Sequence, residues 1–139
     1  MADPADFAAR FTAYWQQPSV EGLGSLLAPD VFLQAPITPT TRDLAAGERA
    51  FARLLRAVPD LRGVVHRWGP TEDGLLIEFT LSGTAAGVPL SWDAVDRIVL
   101  GENGLASSRI SYFDSSALVR AALLRPRAWP TLLGLRRAV

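Results

Sequence analysis

The residue best placed to do chemistry is Asp96, because it stands in an alternating segment whose even positions are otherwise Leu90, Trp92, Ala94, Ile98 and Leu100. Side chains of a strand point alternately to its two faces, so the apolar even set is predicted to face inward and to carry Asp96 with it. Removal from water disfavours the charged form of a carboxyl and suits it to proton transfer or to hydrogen-bond donation while neutral. The competing reading is a structural carboxylate paired with an arginine. His66, the single histidine, alternates with Val64 and Trp68 and is predicted to point at apolar surroundings. A neutral imidazole there could serve as a base near neutral pH, or could simply be a satisfied core residue. One histidine among scattered carboxylates offers no metal-ligand spacing, so no metal is expected.

Two further segments could supply partners. One has Leu75, Ile77, Phe79 and Leu81 on one face and Leu76, Glu78, Thr80 and Ser82 on the other; in the next but one, Arg109, Ser111 and Phe113 oppose Ile110 and Tyr112. By pattern, the Glu78 face is either solvent-exposed or the polar lining of a pocket. The aromatics Phe11, Tyr14, Trp15, Phe32, Trp68 and Trp92 could wall a pocket for a flat apolar ligand, or could be ordinary core.

The elements that must position these residues are legible from period and punctuation. Phe7, Phe11, Tyr14 and Trp15 recur at helical spacing over residues 5–17, before Pro18; a short helical run follows from Ser19 to Leu27. Val31–Gln34 reads as a short extended piece and Pro36–Thr41 as a loop. A third helix is predicted over 43–57, capped by Asp43 and ended before Pro59. The period then changes to two, giving strands near 62–69, 74–83, 89–100 and 104–113, separated by Gly- and Pro-containing turns. These should form an antiparallel meander, and Asp114-Ser115-Ser116 should cap a helix over 117–124. The fold class is therefore α+β: a curved antiparallel sheet of about four long strands and one short one, covered by three N-terminal helices and followed by a C-terminal helical tail. Residues 1–125 are expected to form the domain, and 126–139 a basic, proline-containing tail packed on it or on a partner.

Composition narrows the function classes. The 139 residues carry 14 cationic and 14 acidic side chains and no cysteine. Zero formal charge gives no electrostatic footprint for nucleic acid, and the lack of cysteine excludes disulfides and thiolate metal sites. All cations are arginine, and five of them, with no acid, fall in residues 115–139. That tail, with Leu123, Leu124, Trp129 and Leu133, is compatible with membrane-surface contact, although Pro126 and Pro130 prevent one long amphipathic helix. No apolar run reaches membrane-spanning length and no signal-peptide pattern opens the chain, so a cytoplasmic location is expected. Phosphate-cradling glycine motifs and nucleophile elbows are missing from the sequence.

The element order, with Leu26-Leu27-Ala28-Pro29-Asp30-Val31, Val95-Asp96-Arg97-Ile98, Glu102-Asn103-Gly104-Leu105 and Tyr112-Phe113-Asp114, resembles the nuclear-transport-factor-2-like superfamily. More narrowly, residues 5–124 are similar to its SnoaL-like polyketide-cyclase and ketosteroid-isomerase-like branch. The resemblance implies a cone-shaped domain with a pocket between helices and sheet, and a homodimer through the outer sheet face. It also implies that Asp96 matches the aspartate with which ketosteroid isomerases hydrogen-bond an enolate. Ala35 stands where those isomerases place their base, Phe11 where they place a tyrosine, and Ser111 where the superfamily's epoxide hydrolases place an acid. The same comparison puts Glu78, Thr80, Arg109 and Ser111 on the pocket side and leaves Ile77, Phe79, Val95, Val99, Ile110 and Tyr112 for a dimer interface.

The resemblance thus implies a cofactor-independent acid/base enzyme of the cyclase or isomerase type acting on a small, apolar, carbonyl-containing molecule. Asp96 would be acid or base, His66 its proton partner, and Arg109 or Glu78 would bias the charge. Tyr14, Trp15, Phe32, Trp68, Thr80, Trp92, Ser111 and Phe113 would line the binding site. The alternatives are a non-catalytic small-ligand binding or dimeric interaction domain, and an epoxide hydrolase or dehydratase-like activity.

Overall fold

The computed structural model describes residues 2–135. Helix α1 (Pro4–Gln16) starts where Asp3 Oδ1 accepts the Ala5 N–H at 2.9 Å, satisfying one of the free amides of its first turn. It buries Phe7, Phe11 and Trp15. A 3₁₀ segment (Glu21–Ser25) leads into strand β1 (Leu27–Ala35), and β2 (Thr38–Thr41) returns antiparallel to it. Helix α2 (Leu44–Ala57) follows, capped by Asp43, whose Oδ1 accepts from Ala46 N–H at 2.7 Å. The chain then lays down β3 (Arg62–Pro70), β4 (Gly74–Ala85), β5 (Val88–Leu100) and β6 (Ala106–Tyr112). Helices α3 (Ser116–Leu124) and α4 (Trp129–Gly134) finish the described chain.

All six strands form one sheet in the order β2-β1-β6-β5-β4-β3. The predicted meander is its antiparallel part, β3 to β6. Its longest hairpin turns through Ala86 and Gly87, both at positive φ, as a two-residue turn matched to the twist of the strands requires. Two features differ from the sequence reading. Strand β1 begins at Leu27, runs through Pro29 and joins β6 in parallel; Pro29 is tolerated because β2 pairs only with Leu33 and Ala35, leaving β1 unpaired on that side. The predicted loop Pro36–Thr41 contains β2, a four-residue edge strand whose Pro39 interrupts little hydrogen bonding.

Helix α1 lies across β3 and β4, α2 across β1 and β2, and α3 against β5. The core fills the space between them: Phe7, Phe11, Trp15, Val31, Val58, Leu61, Leu75, Ile77, Phe79 and Ile98 are almost completely buried. Gly63 of β3 lets Trp15 settle on the strand, since a Cβ there would lie 2.9 Å from the tryptophan Cβ. Arg10 binds α1 to two loops, donating to the Ser25 and Gly104 carbonyls at 2.7 Å each.

The tail is in short pieces: Pro126 opens a 3₁₀ turn (Pro126–Ala128), and Pro130 sits in the first turn of α4, where a proline costs no helical hydrogen bond. Leu118 is buried, Trp129 donates its indole N–H to the Ala122 carbonyl, and α4 touches α2 and α3, while Leu123, Leu124 and Leu133 are exposed. The tail's last arginines, at 136 and 137, lie outside the described residues. Among the described residues, no helix is long and apolar enough to cross a membrane.

Candidate functional site

Three side chains of β5 and β6 meet on the inner face of the sheet. Asp96 is registered against Ser111, and Ile98 against Arg109, so Asp96, Ser111 and Arg109 share one face. Arg109 donates through Nε to one carboxylate oxygen of Asp96, and Ser111 donates its hydroxyl to the other. The Asp96 side chain is 0% exposed, that of Arg109 17%. A carboxylate so far from water is tolerated only when paired and hydrogen-bonded, and here both oxygens are engaged. The guanidinium also lies 5.7 Å from the Phe11 ring and 5.5 Å from the Trp15 ring, so the faces of two aromatics share its charge.

In front of this triad lies a cavity of about 120 Å³ between α1, α2, β1, β2 and the inner sheet face. Helix α2 contributes Gly47, Ala50, Phe51 and Leu54, one helical stripe whose two small members leave the space open. Arg109 and Ser111 line the cavity together with Trp15, Trp92, Thr41 and Phe113; Asp96 stands behind them and does not reach it. A shallower depression shares Gln34, Ala35, Thr38, Ser111 and Phe113 with the cavity and continues over Pro36, Ile110 and Tyr112. No aspartate, glutamate or histidine lines the cavity itself.

Of the residues singled out in the sequence, the structure therefore brings together Asp96, Arg109, Ser111, Trp15, Trp92 and Phe113. It separates the others. Glu78 and Thr80 lie on the outer face, a correction to their expected place in the pocket. Leu75, Ile77, Phe79 and Leu81 are the buried set of β4, because four large apolar side chains dictate which face of a strand turns inward. Ile77 and Phe79 are accordingly core residues and do not belong to an outer interface.

His66 is likewise on the outer side, exposed, where Nε2 sits 2.6 Å from Thr80 Oγ1 and that hydroxyl donates to Asp93 at 2.6 Å. Gly63 and Val65, registered against the buried Leu81 and Phe79, are the residues of β3 that turn inward, so Val64, opposite Thr80, and His66 after it turn outward; a bulge then makes the pairing skip His66, and Trp68 is registered against Ile77. The face predicted from alternation is thus split at His66, and Trp68 is 41% exposed. Tyr14 packs edge-on to Trp15 and donates to the Ser19 carbonyl at 2.7 Å without lining the cavity; burial pushes its phenol well above the usual range. Phe32 lies beneath the Arg42 guanidinium, 5.1 Å away, and not in the cavity.

Thr41, Gly47 and Leu33, which the sequence does not single out, also shape the cavity wall. Thr41 lies in the stretch read as a loop, and no local pattern marks the other two. Among the described residues no three metal-ligating side chains cluster.

This chain belongs to the SnoaL-like domain family, whose model matches residues 8–109. Solved structures share the fold across nearly the whole domain. A hypothetical protein with a ketosteroid-isomerase-like fold from Catenulispora acidiphila DSM 44928, in complex with trimethylamine, superposes with a TM-score of 0.75 at 18% identity, covering 86% of this chain and 95% of its own. TerC, co-crystallised with polyporic acid, gives 0.74 at 18% identity over 85% and 96% of the two chains. IdmH of Streptomyces antibioticus, a candidate polyketide cyclase, gives 0.71 at 18% identity over 86% and 97%. No curated protein sequence matches the chain.

Proposed function

We propose that the protein is a cofactor-independent enzyme of the polyketide cyclase and isomerase type that enolises a small, largely apolar carbonyl compound. The observation that carries this reading is that Arg109 and Ser111 both line the cavity and are both held from behind by the buried Asp96. With Nε committed to Asp96, the Nη groups of Arg109 remain to receive a carbonyl oxygen. The guanidinium stabilises the negative charge that develops there as the α-carbon loses a proton. The proton passes to Ser111 Oγ as the serine hydroxyl's own proton passes to Asp96; the C–H electron pair becomes the enolate. Asp96 is then the terminal proton acceptor, acting through a hydroxyl in place of touching the substrate. Membership in the SnoaL-like family and the likeness to IdmH support this class of reaction, and the co-crystallisation of TerC with polyporic acid supports a small-molecule pocket.

Exchange of the methyl protons of acetophenone in D₂O, followed by NMR, tests the reading without knowledge of the natural substrate. Catalysed exchange is expected, reduced about a hundredfold or more in Ser111→Ala, within the range for loss of a proton-transfer group. A second reading is specifically favoured by the absence of a carboxylate or imidazole on the cavity wall: a non-catalytic small-ligand binding domain. Binding of acetophenone with no exchange above background would establish it over the enzyme.

The outer sheet face supports a homodimer. Val64 is 61% and Tyr112 56% exposed there, beside half-buried Val95 and Ile110 and the Arg67–Glu78 ion pair at 3.4 Å. Exposed apolar side chains on one sheet face are the feature that supports this reading. Sedimentation velocity at micromolar concentration should give twice the 15.0 kDa chain mass, and Tyr112→Arg should return the monomer; a wild-type monomer would refute the dimer.

A further inference from the structure

Three buried polar side-chain atoms have no hydrogen-bond partner among the described residues: Trp15 Nε1, Thr41 Oγ1 and Trp92 Nε1. All three residues line the one cavity that Arg109 and Ser111 also line. Buried polar groups are normally paired, and leaving one unpaired costs enough that three around a single space call for an explanation. They come from α1, β2 and β5, so no shared distortion of one element accounts for them.

The chemistry of these groups is one-sided. An indole N–H only donates, and so does a guanidinium; a threonine hydroxyl can donate. Ser111 donates its hydroxyl hydrogen to Asp96 in a hydrogen bond and can offer a ligand only lone pairs. Gln34 and Thr38, which could do both, stand where the cavity meets the outer depression. The side-chain groups left unpaired around the cavity are therefore donors more than acceptors. The cavity's one positive charge is already balanced by Asp96, so an added carboxylate would bring a second negative charge toward the same guanidinium.

Resting on the proposed reading of this cavity as the substrate site, we infer that it selects an uncharged ligand of about one ring that carries acceptor oxygens and few donors. Trp15 and Trp92 act as hydrogen-bond donors to those oxygens and are specificity determinants, not only packing residues. The volume suits a single ring, since a dry cavity of about 150 Å³ in another protein holds benzene. A hydrocarbon of the same shape leaves the indoles as they are and gains no hydrogen bond from them, so it binds more weakly.

Indole N–H resonances report this directly. The chain has four tryptophans, so ¹⁵N-labelled protein gives four indole signals, assigned with Trp15→Phe and Trp92→Phe. Titration with acetophenone and with ethylbenzene, nearly the same shape without the oxygen, separates the outcomes. The expected result is that acetophenone moves the Trp15 or Trp92 indole signal, leaves those of Trp68 and Trp129 in place, and binds at least about tenfold more tightly than ethylbenzene. Equal affinity for the two, or acetophenone binding with both cavity indoles unmoved, overturns the inference and leaves the enolisation reading standing. Binding of neither up to the solubility limit overturns both. Acetophenone that binds as expected but exchanges no protons sustains the inference and removes the enzyme.

Discussion

Arg109→Met is expected to destabilise the fold by about 3–5 kcal/mol, the usual consequence of removing one partner of a buried ion pair. The variant keeps most of the side chain's apolar bulk against Phe11 and Trp15, so packing loss is the smaller part. What remains is a fully buried Asp96 with only the Ser111 hydroxyl to satisfy it. Total stabilities of single domains are about 5–15 kcal/mol, so the variant should lie near the edge of folding.

A companion variant identifies the cause. The double variant Asp96→Leu/Arg109→Met, which removes both charges, should recover most of the loss, because a buried pair is often no more stabilising than apolar side chains of similar size. Urea denaturation followed by circular dichroism measures both variants against wild type. A single variant within about 1 kcal/mol of wild type would show that Asp96 is compensated by something other than Arg109.

The inner placement of Asp96 could be read from alternation because β5 is long, regular and paired on both sides, so nothing interrupts its period of two. The same regularity placed Arg109 and Ser111 opposite Ile110 and Tyr112. Strand β3 was less legible: one extra residue at His66 moves everything beyond it to the other face, and a bulge is a matter of pairing with β4 that leaves no mark in the local composition. Glu78 and Thr80 show the opposite lesson. Their own strand's pattern leaves that face open between solvent and pocket, and the family resemblance chooses the pocket; the structure has them outside, and at this level of similarity the fold transfers more safely than the role of a single position. The parallel junction of β1 with β6 and the convergence of Trp15, Thr41 and Trp92 on one cavity are long-range consequences of topology, beyond the reach of any local window.

Trp15 carries the second large effect, and two substitutions separate its two roles. Its ring centroid lies 6.1 Å from that of Phe11, 6.0 Å from Phe51 and 5.8 Å from Phe79, so one side chain joins α1, α2 and β4 while also lining the cavity. Trp15→Ala should cost about 3–5 kcal/mol, lowering Tm by roughly 10–20 °C for a domain of this size. It should also remove ligand binding, because Arg109 loses the face on which it rests. Trp15→Phe behaves differently. It gives up part of the ring area but also removes a buried N–H with no partner, and those changes oppose each other. Its stability should stay within about 1–2 kcal/mol of wild type while its preference for acetophenone over ethylbenzene falls, the loss of one donor being worth several-fold in binding. Thermal denaturation by far-ultraviolet circular dichroism and the paired titrations decide the matter. If phenylalanine lowered stability as far as alanine and left the preference intact, Trp15 would be a packing residue alone, and the donors that recognise the ligand would reduce to Arg109, Thr41 and Trp92.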